Sequence, residues 1–422
     1  MISTAMQTNT SANAGGPFRV MVVDDSAIIR GFLCRYLSED PLIDVVTTAN
    51  NGAVALRQLD QFDVEAVVLD IEMPEMDGMT ALPLLIKKKP DIKVVMASTL
   101  TRKNAEISLR AMQMGAVDYV PKPETARSVN ANIDFRRELV DKVKAWAARG
   151  RKRRGEALPS TAEMESAKPE AGFAKPTSRP VSPGFVTVSP RRTEKPAAVV
   201  STNQAAAQPA VSLQAGQGKT ISLIEGSKKT PKVLVVGSST GGPQALMKFF
   251  AGFKTKPEVP ILITQHMPAN FTAILAVHLG QATGWPSEEA KEGVALEAGH
   301  IYVAPGGRHM EVAGEKGAFF AHLTDEPPEN FCKPAVDPLF RSVTKYFGDR
   351  SLAVILTGMG HDGLKGARDL TKAGGTLLAQ DEASSVVWGM PGAVATAGLC
   401  TEVLPIDNLG AATLKRLQGG IG

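Results

Sequence analysis

VLVVGSSTGGPQAL, Val233 to Leu246, carries an apolar run straight into a glycine-flanked serine pair and then into a helical pattern. A short run of branched apolar residues bounded by glycine reads as a buried strand. A strand that feeds a helix through so tight a turn is the repeating unit of parallel α/β sheets. The same alternation continues downstream. Strands are expected at 232–236, 261–264, 300–303, 351–356, 375–380 and 402–404. Helices are expected at 243–253, 271–280, 336–347, 364–373 and 409–417. Short glycine-punctuated strands between His300 and His322 interrupt the pattern as an antiparallel hairpin.

Upstream, five apolar runs, RVMVV, DVVTTA, EAVVLD, KVVMAS and VDYVPK, alternate with amphipathic stretches such as 27–37, 53–59 and 79–88. They predict a five-stranded parallel sheet, doubly wound, closed by a helix over about 127–148. Between the two α/β regions, Pro, Ala, Ser, Thr and Lys dominate and hydrophobic periodicity vanishes. Such a composition cannot bury enough apolar surface to offset ordering, so it predicts a linker. The expected organisation is a tail at 1–17, one domain at 18–140, a helix end and linker at 141–229, and a second domain at 230–422. About 80 flexible residues would span ~50 Å, which weakens any interface held only by the tether.

The 422 residues are 43% hydrophobic and 21% charged, with a net charge of +4. These are globular values. The basic run ARGRKRRG, 148–155, lacks interleaved aromatic residues and reads as a solvated helix end, so nucleic acid is not an expected partner. Cys34, Cys332 and Cys400 stand far apart, which excludes a disulfide framework and a CxxC zinc site. No apolar stretch reaches the length of a membrane span, and the polar start lacks the order of a signal peptide. A cytoplasmic protein without membrane insertion is the expectation.

Ligands of open α/β sheets bind beyond the carboxyl ends of the strands. The first sheet places Asp24, Asp25, Asp70, Ser98 and Lys122 there. Three carboxylates at one point call for a cation, and a hard oxygen set suits Mg²⁺. Lys122 and Ser98 supply what a phosphoryl oxygen needs, which makes Asp70 the expected phosphoryl acceptor. With VVDDSAIIR, LDIEMPEMDG and GAVDYVPKP, residues 18–140 closely resemble a response-regulator receiver domain of flavodoxin-like fold. The resemblance implies that the backbone carbonyl of Glu72 joins Asp24, Asp25 and Asp70 around Mg²⁺ and that a histidine kinase is the donor. It also sets Tyr119 at the aromatic switch position, although a half-buried strand tyrosine reads the same way.

In the second region, GSSTG (237–241) fits the G-x-S-x-G turn that presents a nucleophilic serine. The phosphate-loop and dinucleotide patterns fail, because Pro243-Gln244 and Ser239 stand where Lys-Ser/Thr and glycine are needed. Ser239 requires a base, and His266, just past a strand on the same edge, is the best placed. His278 lies mid-helix, and His300, His309 and His322 read as solvated hairpin residues. Asp362, in the glycine-rich turn after SLAVIL, is the acid, with helix capping as its alternative role and neighbouring His361 a rival base. The order Ser, His, Asp rules out the α/β-hydrolase arrangement.

GSSTGGPQAL, QHMP followed by FT, VAPGGRHM, KPAVDPLFRSV and ILTGMGHDG together resemble the chemotaxis protein-glutamate methylesterases of the CheB type. Both halves of the chain fit that family. The resemblance implies Ser239 as nucleophile, His266 as base and Asp362 as third member. It adds the N–H of Met359 as an oxyanion donor, with Thr240 in the matching serine-threonine pair, and no cofactor in this domain. Methylated chemoreceptors are the implied substrates and a chemotaxis histidine kinase the implied donor. Glutamine deamidation is an implied second activity, activation by phosphorylation the implied control, and receptor arrays the implied site of action. A receptor-binding adaptor without catalysis, a nucleotide-binding protein and a DNA-binding regulator are the competing readings.

Overall fold

A computed structural model of the chain describes residues 15–99, 101–122, 129–159, 212–214, 220–315 and 317–420. Residues 1–14 of the tail expected at 1–17, and most of the expected linker, lie outside the described residues.

The first sheet is built from β1 (Phe18–Val23), β2 (Ile43–Ala49), β3 (Ala66–Asp70), β4 (Lys93–Ser98) and β5 (Asp118–Pro121), all parallel. Their spatial order, β2-β1-β3-β4-β5, is the flavodoxin-like one, as expected. Around it run α1 (Ala27–Ser38), α2 (Gly52–Gln61), α3 (Gly78–Lys88), α4 (Arg102–Gln113) and α5 (Val129–Arg154). Polar caps set the helix starts: the side chains of Ser26, Asn51, Asp77 and Thr101 each accept a hydrogen bond from the backbone N–H three residues on.

Helix α5 runs six residues past its expected end. Phe135, Leu139, Val143, Trp146 and Ala147 pack on the sheet. The basic run is only in part the solvated end that its composition suggested: Lys152 and Arg153 are exposed, whereas Arg151 is not. Arg151 is only 2% exposed and grips Glu65 through two 2.6 Å contacts, from Nε to Oε1 and from Nη2 to Oε2. A planar guanidinium with two parallel bonds can be buried where a lone charge cannot.

The second sheet contains seven parallel strands in the order β10-β11-β9-β8-β14-β15-β16. They are β8 (Val233–Ser238), β9 (Ile261–Gln265), β10 (Ser287–Glu289), β11 (Ile301–Val303), β14 (Ser351–Ile355), β15 (Thr376–Gln380) and β16 (Glu402–Leu404). Helices α6 (Gly242–Ala251), α7 (Phe271–Thr283), α8 (Val336–Phe347), α9 (Leu364–Lys372), α10 (Gly389–Thr396) and α11 (Ile406–Leu417) flank it. The expected hairpin forms from β12 (His309–Glu315) and β13 (Ala318–Thr324). Edge strand β10 and helix α10 were not expected, because SEE is polar and GMPGAVAT carries helix breakers.

A short antiparallel pair, β6 (Ser212–Gln214) and β7 (Thr220–Ser222), precedes the second sheet. Ile221 is buried in that domain's core, and the Ile224 N–H bonds the Cys400 carbonyl. His309 corrects another expectation. It is buried rather than solvated, with Nδ1 accepting from the Ala335 N–H and Nε2 facing the Pro327 carbonyl.

The α4-β5-α5 side of the receiver packs on the carboxyl edge of the second sheet. Tyr119 of β5 stacks on Phe271 of α7, with centroids 4.4 Å apart and planes 11° from parallel. Gln244 Nε2 donates to the Ala116 carbonyl at 3.0 Å. Arg149, late in α5, donates to the carbonyls of Ala383, Ser384 and Ser385. One apolar cluster runs through this contact without a break, from Leu109 and Met112 of the receiver to Phe271 and Leu275 beyond it.

Candidate active site

Strand β8 ends at Ser238, and its two serines point to different fates. Ser238 is fully buried, and its hydroxyl donates to Gln265 Oε1 at 2.6 Å. The same glutamine donates from Nε2 to the Ser239 carbonyl at 2.9 Å, stapling the serine turn to the end of β9. Gly241 sits at φ 74°, in the left-handed region, and a Cβ on Gly242 would lie 1.9 Å from Gln265 Oε1. Both glycines are therefore demanded by the turn. The Ser239 side chain is left unbonded among the described residues and faces a cavity of about 650 Å³.

His266 and Asp362 line the same cavity, so all three expected catalytic residues share one rim. His266 Nε2 lies 2.8 Å from Asp362 Oδ2. Asp362 is 2% exposed and is held on every side. It accepts from the N–H groups of Val336, Asp337 and Gly363 and from Asn330 Nδ2. Burial works against its ionisation, but the His266 ring and these donors outweigh it and hold the carboxyl low, at about 2. Burial likewise disfavours a charged His266, but the Cys332 sulfur and the Asp362 carboxylate prevail and lift it to about 10. No hydrogen bond joins His266 to Ser239 among the described residues; the ring's other nitrogen, Nδ1, lies 3.2 Å from Cys332 Sγ.

The N–H groups of Thr240 and Met359 meet no acceptor among the described residues, and both residues line the cavity. The Thr240 carbonyl accepts from Thr357 Oγ1, which also takes the N–H groups of Val386 and Val387, so the two turns are tied together from behind. His361 is exposed and lines the same cavity, but no hydrogen bond joins its side chain to Ser239 or Asp362 among the described residues. Sequence reasoning missed Gln265, Asn330, Cys332 and Thr357. Only Gln265 carried a signal, as the residue beside His266. The others reach the site through chain reversals that no periodicity encodes.

The receiver's carboxylates also meet as expected. Oxygens of Asp24, Asp25 and Asp70 lie within 4.8 Å of one another. Lys122 Nζ is 2.6 Å from both Asp24 Oδ2 and Asp70 Oδ1. Burial raises the Asp70 carboxyl above its ordinary range; Lys122 opposes the shift and Asp24 adds to it. Ser98 is buried beside them, its hydroxyl accepting from Ser108 Oγ at 2.9 Å. Glu72 borders the same hollow as Asp25, with its side chain turned toward Lys103 at 3.8 Å. An all-oxygen acidic cluster with one exposed member fits a divalent cation of the Mg²⁺ type. Tyr119 is buried against Phe271, rather than half-buried in its own strand.

Comparison with known proteins gives two family matches. Residues 20–134 match the response regulator receiver domain, and residues 234–413 match the CheB methylesterase domain. A Rhodospirillum rubrum protein named protein-glutamate methylesterase/protein-glutamine glutaminase 1 is 47% identical over 408 residues, 96% of this chain and 97% of its own. An Azospirillum brasilense protein of the same name, without the numeral, is 48% identical over 95% of this chain and 93% of its own. The solved catalytic domain of Thermotoga maritima CheB methylesterase aligns at 35% identity and a TM-score of 0.43. It covers 44% of this chain and 99% of its own.

Proposed function

The chain belongs to the CheB methylesterase family, and from that premise we propose that it hydrolyses glutamyl methyl esters on chemoreceptors under control of a phosphorylated receiver. The observation that carries the chemistry is the 2.8 Å pair of His266 Nε2 and Asp362, on the rim that Ser239 occupies. With Nε2 committed to Asp362, Nδ1 is the nitrogen left to take a proton. Ser239 Oγ attacks the ester carbonyl while Nδ1 accepts its hydrogen. The N–H groups of Thr240 and Met359 face the oxygen that gains charge. The protonated ring then passes its proton to the methoxide oxygen as the C–O bond breaks, so that methanol leaves, and water releases the carboxylate by the reverse path. Glutamine side chains would follow the same route with ammonia as leaving group, more slowly because amides are poorer acyl donors.

In the receiver, Asp70 would accept the phosphoryl group, with Lys122 and Ser98 on its oxygens. Asp24, Asp25, Asp70 and the Glu72 carbonyl would hold Mg²⁺, whose charge screens the incoming phosphate. A chemotaxis histidine kinase is the proposed donor. In the resting chain, receiver residues Tyr119, Arg137 and Lys142 wall the cavity that Ser239 and His266 line, so a receptor helix could enter only after the receiver moves. The proposed domain limits follow the sequence reading, with α5 belonging wholly to the receiver. No helix among the described residues is long and apolar enough to cross a membrane. The proposed workplace is the cytoplasmic side of receptor arrays.

The test is methanol release from methylated receptors, with and without a small acyl phosphate. Wild type should respond to the phosphodonor and Ser239→Ala should release none. Equal release from both proteins would remove Ser239 from the mechanism.

A further inference from the structure

Cys332 holds the one nitrogen that the proposed reaction needs. Its Sγ lies 3.2 Å from Nδ1 of His266, while Nε2 is occupied by Asp362 at 2.8 Å. A ring engaged at both nitrogens cannot accept a proton from Ser239. Cys332 and the serine hydroxyl therefore compete for the same ring nitrogen.

The turn that presents Cys332 is a built device. Glu329 and Cys332 exchange backbone hydrogen bonds at 3.1 and 2.9 Å, which closes a four-residue loop. Within it, Asn330 and Phe331 both sit at positive φ, 52° and 64°, where side-chain-bearing residues are rarely found without compensation. One base of the loop is fixed to its own domain: Glu329 is gripped by Arg341 through contacts of 2.9 and 2.7 Å, and Asn330 Nδ2 reaches both Asp337 and Asp362. The crown is held by the other domain. Phe331 is 80% exposed, yet the guanidinium of Arg137, on α5 of the receiver, lies 4.9 Å from its ring centroid. A guanidinium over an aromatic face is attractive, and the contact falls on the residue next to the thiol.

We infer that the loop 329–332 is a latch through which the docked receiver switches off the catalytic base: Arg137 holds Phe331, Phe331 positions Cys332, and Cys332 occupies Nδ1 of His266. Inhibition is then chemical as well as steric, and releasing the receiver frees the loop and returns Nδ1 to Ser239. Cys332 is a positioning residue in this scheme and forms no bond with substrate. The inference rests on the reading of His266 as the base for Ser239.

Two measurements on the full-length chain test it. The first is methanol release without phosphodonor. Cys332→Ala should raise basal kcat/KM about fivefold, the worth of one hydrogen bond lost from the docked state, because substrate enters only when that state opens. Cys332→Ser is nearly the size of the alanine variant but keeps a hydroxyl for Nδ1, so it should rise clearly less. With acyl phosphate present, all three should converge. The second measurement is the ring ¹⁵N spectrum of histidine-labelled protein, with His266 assigned from its loss in His266→Gln. The Nδ1 resonance should shift in Cys332→Ala, and Arg137→Ala and Phe331→Ala should move it in the same direction. The latch is overturned by a Cys332→Ala protein with unchanged or lower basal kcat/KM, by equal effects of alanine and serine, or by an Nδ1 resonance indifferent to Cys332. If no protein releases methanol under any condition, the esterase reading fails, and the nitrogen resonance alone decides the latch.

Discussion

Ser238 and Ser239 are adjacent, chemically identical and assigned opposite work by their surroundings. Ser238 is locked to Gln265, so Ser238→Ala should cost about 1 kcal/mol of stability and keep most activity. Ser239→Ala should lower kcat by three orders of magnitude or more, on the order of the loss seen when a triad member is removed. Parallel melts and methanol assays separate the two effects. His266 adds a pH signature. Its native value of about 10 lies above the ordinary 6.5, so its interactions stabilise the fold fully below pH 6.5 and fade as pH climbs toward 10. The gap in melting temperature between wild type and His266→Gln should be widest near pH 6 and narrow steadily by pH 10. At this scale the sequence was partly legible. Strand ends advertise Asp24, Asp70, Ser239 and His266, because an apolar run stops at each of them. Cys332 was noticed only as an unpaired thiol, since it meets His266 across 66 residues through a loop held at positive φ.

Helix α5 is the element that most exceeded its sequence pattern. Its apolar spacing fades after Trp146, yet the helix continues because Arg151 finds buried Glu65 and Arg149 finds three carbonyls across the domain contact. Partners that distant leave no mark on local composition. Burial works against the Glu65 carboxylate, which Arg151 and Arg19 hold low; Arg151→Met leaves it only the Arg19 N–H and longer contacts to Arg154 and the Arg19 guanidinium. That change should destabilise the receiver by about 3–5 kcal/mol, read from its denaturant midpoint. Arg149→Ala should act on regulation instead. It loosens the grip on 383–385, so methanol release without phosphodonor should rise while the fully activated rate stays level. The hairpin and the central strands were foreseeable from apolar runs and glycine turns, whereas three-residue β10 was too short and polar to announce itself.

At the scale of the molecule, two parallel sheets and their order of functions were readable from alternating strands and helices, but their mutual packing was not. Interfaces between domains draw on apolar residues such as Tyr119 and Phe271, which a strand pattern assigns simply to a core. The proposed control predicts that Asp70→Asn loses the response to acyl phosphate and retains the basal rate. A chain equally responsive after this change would place the phosphoryl acceptor elsewhere. The grips of Gln244 on the Ala116 carbonyl and of Arg149 on 383–385 have a consequence of their own, since both end on main-chain oxygens. Such contacts register the course of the backbone and not the identity of the residues along it. Chimeras that join this receiver to a relative's hydrolytic half should therefore stay sealed wherever loop lengths match, and an insertion in either loop should open them.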